Sequence, residues 1–206
     1  AEISAVAPKF KMPQVWKTSL AVDYTFPTSF PFTISAEGIY NKTVNGVVIR
    51  DWSVMSTDGF ARLNGAGNRP IYQDYQKQYQ VWDADKQKLV NKNLPSAYVL
   101  ENTHKGYGYS GTFTVNMRPI EGLSLMAAYT HTVNKELTGM PGSNASSVLN
   151  YMGTIYGPND PGLHNSQYVT PDRFVASLTH SDKSGNHFSF IYETWRGGYN
   201  YTYMTA

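Results

Sequence analysis

The amino-acid sequence predicts an all-β chain of antiparallel strands, and three observations carry that prediction. Polar and apolar residues alternate with period two over stretches about twice the usual strand length of about 5 or 6. These stretches come in pairs joined by short turns rich in Pro, Gly, Asn and Asp, whereas long irregular segments separate one pair from the next. The 206 residues are also rich in aromatic rings (16 Tyr, 9 Phe, 4 Trp) yet only 16% charged, against about 25% in an average soluble domain.

The first pair spans about 14–44. Trp16, Thr18, Leu20, Val22, Tyr24 and Phe26 share one face, while Lys17, Ser19, Ala21, Asp23 and Thr25 share the other. After a turn at Pro27 to Pro31, Phe32, Ile34, Ala36, Gly38 and Tyr40 resume the apolar face opposite Thr33, Ser35, Glu37 and Asn41. The second pair, about 107–135, runs through Tyr107, Tyr109, Phe113, Val115 and Met117, turns at Arg118 to Gly122, and returns through Leu123, Leu125, Ala127, Tyr129 and Val133. The third, about 173–195, turns at Asp182 to Asn186 and returns through Phe188, Phe190, Tyr192 and Thr194. Long loops are expected at about 45–96 and 136–170, and the whole chain reads as one β-barrel segment.

Strands of this length suit a tilted crossing of a bilayer. Short turns at one end and long loops at the other match transmembrane barrels, which place the turns in the periplasm and the loops outside the cell. Charge phase agrees: Lys17, Asp23, Glu37, Arg173 and Glu193 all fall on the polar alternation, so they would face the lumen rather than lipid, where each would cost about 2 to 4 kcal/mol. Six strands are fewer than the 8 of the smallest membrane barrels, so the chain is expected to be part of a larger one in the outer membrane. Its Tyr201 to Ala206 ending, with no obvious final strand, fits a truncated parent.

Several function classes find no support. The net charge of +2 is spread thinly, so nucleic acid is not an expected partner. The chain has no cysteine, and its five histidines (His104, His131, His164, His180, His187) lack zinc-site spacing, so no metal and no cofactor is expected. Asp83-Ala84-Asp85 and Asn159-Asp160 read as solvated loop acids rather than calcium loops. Gly65-Ala66-Gly67 lacks the Gly-Lys-Ser/Thr of a phosphate loop, and no Gly-x-Ser-x-Gly elbow occurs; no catalytic residue and no enzyme is predicted. In the first long loop, Tyr72, Tyr75, Tyr79 and Trp82 recur at helical spacing, with Leu89 two turns on. With Trp52 and Tyr151 they are the candidate ligand-binding residues, of a kind suited to a sugar or a peptide.

Four stretches resemble the C-terminal barrel half of the TonB-dependent receptors of Bacteroidota, in the Oar-like group with a carboxypeptidase-regulatory-like domain. They are Phe10 to Leu20; Ala97 to Thr103 with Gly106 to Tyr109; Leu125 to Thr130 with Gly139 to Ser147; and Ser166 to Arg173. The resemblance implies an outer-membrane ligand-uptake receptor whose barrel is plugged and energised by N-terminal parts not in this chain, with outer-membrane lipid and the TonB system as partners. A soluble, secreted β-sheet module that grips polysaccharide through its aromatic residues is the alternative.

Overall fold

A computed structural model of the chain describes residues 2–54, 56–65, 68–73, 78–154, 156–157 and 159–198. It is all-β, with mainly antiparallel sheets and one short helix. The strands are β1 (Glu2–Val6), β2 (Gln14–Thr25), β3 (Phe32–Asp51), β4 (Gln78–Asp83), β5 (Lys88–Asn93), β6 (Ser96–Thr103), β7 (Tyr107–Met117), β8 (Leu123–Glu136), β9 (His164–Asn165), β10 (Asp172–Ser181) and β11 (His187–Trp195). A helix α1 covers Ala145–Tyr151.

Six of these strands form a wall in the order β2-β3-β7-β8-β10-β11, every neighbouring pair antiparallel. Directly opposed residues in such a ladder point to the same face, so the register fixes the faces row by row. One row reads Asp23, Ser35, Thr114, Ala128, Val175, Glu193 from edge to edge. The next row on the other face reads Tyr24, Ile34, Val115, Ala127, Ala176, Tyr192. The two alternation phases seen in the sequence thus become two faces of one sheet, one polar and one apolar.

Tight turns close the hairpins at one end. In the β10–β11 turn the Asp182 carboxylate accepts from the amides of Ser184 and Asn186 and from the Asn186 side chain, which replaces strand pairing at the reversal. Gly122 closes the β7–β8 turn at φ 79°, and a Cβ there would lie 2.3 Å from the Ser181 carbonyl oxygen, so only glycine fits. Its own carbonyl accepts from the Ser181 amide at 2.7 Å, tying two neighbouring turns together.

At the opposite end the sheet continues past the wall. The expected 45–96 loop is shorter than the alternation suggested, because β3 runs on to Asp51 and pairs with β6. Alternation fails there since Val48 and Ile49 are both 1% exposed, and a strand covered on both sides loses its polar phase. Ile49 packs with Val148, Leu149 and Met152 of the α1 region, flanked by Tyr98 and Leu100, making a small core above the wall. Asn144 caps α1 by accepting from the Ser147 amide, and Asn159 clamps the end of β3, accepting from the Asp51 amide and donating to the Asp51 carbonyl.

The helical stripe expected over Tyr72, Tyr75, Tyr79 and Trp82 does not form at its described positions. Gln78–Asp83 is a strand, and Trp82 opposes Leu89 across the β4–β5 hairpin rather than sitting two helical turns from it. The cause is the turn: the Asp83 carboxylate accepts from the amides of Asp85 and Lys86, and Gln87 takes φ 50°, which reverses the chain. Tyr75 lies outside the described residues.

β1 adds in parallel to β6, and Asn102 pins the connector to β2 by bonding both the amide and the carbonyl of Lys11. Among the described residues the wall does not close: β2 pairs only with β3, and β11 only with β10.

Candidate functional site

The five charges expected on one phase lie on one face. Lys17 opposes Asn41, Glu37 lies in the row Ala21, Glu37, Thr112, Thr130, Arg173, Trp195, and Asp23 and Glu193 end the row given above. Only two of the five meet: Arg173 Nε and Nη2 both lie 2.7 Å from Glu193 Oε1, across the diagonal between β10 and β11. Asp23 stands five strand spacings from Glu193, about 24 Å at about 4.8 Å per strand.

This face holds a cleft of about 810 Å³. Its floor is the wall, through Asn41, Ser110, Thr130, Thr132 and Asn134, and one side is the Arg173–Glu193 pair with Trp195. The other side is the segment returning to β10, which contributes Ser166 and Tyr168 and is held by the Ser166 amide on the Asn134 carbonyl and the Pro171 carbonyl on the Thr132 amide. A Cβ at Gly108 would come within 2.8 Å of the Asn41 side-chain nitrogen and 3.0 Å of the Asn134 side-chain oxygen, so a larger residue there would displace the two floor amides. Amides, hydroxyls, one ion pair and the rings of Tyr168 and Trp195 make a lining that offers hydrogen bonds and stacking to a polar ligand such as a sugar or a peptide.

The loop aromatics named from sequence are not gathered at this cleft. Trp52 donates its indole N–H to Glu101 at 2.6 Å, and Tyr72 packs edge-on against Phe60 with centroids 5.5 Å apart. Burial pushes the Tyr72 phenol above its ordinary range, with the Asp51 carboxylate adding to the effect. Tyr79 and Trp82 lie three apart on β4 and so on opposite sides of that strand, and Tyr151 is exposed at the end of α1. Among the described residues no two of these rings stack.

Sequence reasoning missed Asn41, Thr130, Thr132, Asn134, Tyr168 and Trp195, although the wall members among them all belong to the polar phase. It also missed a cluster on the apolar face, where Asp172 Oδ1 accepts from the Tyr129 hydroxyl at 2.7 Å and lies 2.8 Å from His131 Nδ1, while Arg196 Nε lies 3.1 Å from Oδ2. Among the described residues no three His, Asp or Glu side chains gather as metal ligands, and no helix is long and apolar enough to cross a membrane. Two residues of the oxygen-rich loop motifs are used structurally: Asp83 pairs with Lys86 at 3.3 Å, and the Asn159 amide serves the β3 clamp.

Compared with known proteins, the chain matches no family model, no curated protein and no solved structure.

Proposed function

We propose that the chain is a wall segment, with extracellular loops, of an outer-membrane receptor that takes up a ligand, of the TonB-dependent kind that its sequence resembles. The observation that carries the reading is the division of the sheet into two faces. Lys17, Asp23, Glu37, Arg173 and Glu193 share the face that holds the cleft. The other face presents Leu20 at 74% exposure and Phe190 at 67%, with Val22 and Phe113 also exposed. Such an apolar face is tolerated in lipid and costly in water.

Two aromatic groups frame that face, as membrane barrels frame theirs. Tyr24, Phe26, Phe30 and Phe32 cluster at the turn end, and Trp16 meets Tyr40 edge-on at 6.1 Å toward the loop end. The open edges of β2 and β11 would be completed by further strands of a larger barrel, since unpaired backbone in hydrocarbon costs several kcal/mol per group. In this reading the protein sits in the cell outer membrane, the cleft is part of the route of a sugar or peptide ligand, and the TonB system acts through other parts of the parent.

Polarised infrared spectroscopy of the chain refolded into oriented phosphatidylcholine bilayers tests the reading. Strands tilted by about 40° from the membrane normal are expected. Strands lying flat on the surface, or a chain that stays in the aqueous phase, would overturn it in favour of the soluble polysaccharide-binding module.

A further inference from the structure

The apolar face of the wall is not uniform, and two irregularities stand close together on it. At the loop end, one register row reads Trp16, Lys42, Tyr107, Lys135, so Lys42 and Lys135 flank Tyr107 on either side and share its face. Lys105 stands two residues before Tyr107, in the bend between β6 and β7. The two acids of that face nearest this row are already occupied: Glu101 by Arg50 at 3.3 Å, and Asp172 by Arg196 and His131. Among the described residues none of the three lysines has an acidic partner.

Two rows nearer the turns, Gly38 and Gly111 are direct cross-strand partners, and a Cβ built on either would meet nothing within 4 Å. The missing side chains leave a recess of about 450 Å³ bordered by Leu20, Tyr40, Tyr109 and His131. Lys42 lies ten residues from Phe32 along β3, about 34 Å of strand, which a tilt of about 40° turns into about 26 Å of height. An apolar band is about 25 Å tall, so the lysine row falls at its outer boundary and the recess inside it.

We propose that this face holds one anionic lipid of the outer leaflet, its phosphate on Lys42 and Lys135 with Lys105 beside them and an acyl chain laid in the recess over Gly38 and Gly111. The proposal rests on the membrane-wall reading. Charge selects the headgroup, because a phosphate is the group for which three unpaired ammonium side chains at a membrane boundary are complementary. The recess selects a lipid over free phosphate, since its lining is predominantly apolar and suits a chain that enters from the bilayer.

Native mass spectrometry of the full chain refolded in detergent, with phosphatidylglycerol or phosphatidylcholine added, reads the occupancy. One phosphatidylglycerol per chain is expected to survive desolvation, with phosphatidylcholine lost and inorganic phosphate unable to displace the bound lipid. K42Q/K135Q should weaken retention on the order of 25-fold, since each lysine near an anionic surface is worth roughly fivefold. The Cβ of Gly111→Val would enter open space, with nothing within 4 Å, and valine raises strand propensity, so the variant should fold and still lose the lipid. Equal retention of both lipids, displacement by inorganic phosphate, or variants that bind like the parent would each overturn the proposal. A lipid-soluble label at Leu20→Cys, measured on the same preparation in vesicles, separates the failures. Labelling without lipid selectivity sinks this site alone, and no labelling sinks the wall reading with it.

Discussion

Arg173 and Glu193 reach one another diagonally across the last two strands of the wall, two of the three guanidinium nitrogens, Nε and Nη2, meeting one carboxylate oxygen at 2.7 Å. Their side chains are 56% and 40% exposed, so in water the pair is worth at most about 1 kcal/mol. Glu193→Gln is therefore expected to change stability in detergent denaturation by no more than about 1 kcal/mol. A loss of about 2 to 4 kcal/mol would mean that the stranded arginine faces hydrocarbon and that the lumen and lipid faces are exchanged.

Cysteine placed at Leu20, Val22, Ile34, Phe113, Leu125 or Phe190 should react with lipid-soluble reagents in vesicles, and cysteine at Ser19, Ser35 or Thr114 with water-soluble ones. The register assigns these residues to opposite faces. Equal reaction of the two sets would contradict it.

Protease added to intact cells that display the parent should cut first in the irregular stretch around Arg62, or between Glu136 and Thr170, and spare the turns at Pro27 to Pro31 and Asp182 to Asn186. Early cleavage at either turn would reverse the orientation across the membrane.

Acid should loosen the β10–β11 turn before the strands. Hydrogen bonds from the Asn186 side chain and amide, with that of Ser184, hold the Asp182 carboxyl below its ordinary value of 3.8. A carboxyl depressed in the folded state stabilises the fold above its unfolded pKa, and that contribution is lost as pH falls through the folded value. Amide exchange at Ser184 and Asn186 should therefore accelerate relative to the strand amides only below about pH 4, once the intrinsic pH dependence of exchange is removed. Protection that stays constant from pH 5 to about pH 2 counts against the carboxylate as the turn's anchor.

The 206-residue chain alone should not be a stable monomer in detergent-free water. β2 and β11 are exposed along their whole lengths and each has an unpaired edge, while the apolar face far exceeds what a soluble monomer usually shows. Analytical ultracentrifugation that finds a monodisperse monomer with a cooperative melt would favour the soluble module.

The wall was legible because its two faces differ in polarity: Leu20 and Val22 could be told from Ser19 and Asp23 by period alone. Where both sides of a strand are covered, as at Val48 and Ile49, period two disappears and the end of β3 passed for loop. Tyr72, Tyr79 and Trp82 misled for the opposite reason, since chance spacing imitated a helix while one aspartate, Asp83, set a hairpin. The helix α1 was readable in principle from the Asn144 cap with Val148, Leu149 and Met152 following, but seven residues are too few for a clear period. The cleft joins Asn41 to Trp195, residues far apart in the chain, and only the register brings them together.

Gly46 opposes Thr103 and Lys42 opposes Tyr107, so four steps forward along β3 match four steps back along its partner despite the bend at Gly106. One count therefore governs both the ladder in the wall and the ladder above it. Adding or deleting a single residue in that bend would turn Leu100 and Tyr98 away from Ile49 and α1, uncovering one flank of the small core, unless a matching change near Val44 restored parity. A two-residue change would leave inside and outside unexchanged. At this corner an even change is thus the tolerated one, whereas beyond Trp52 and before Ser96 only the β4–β5 hairpin imposes a register of its own.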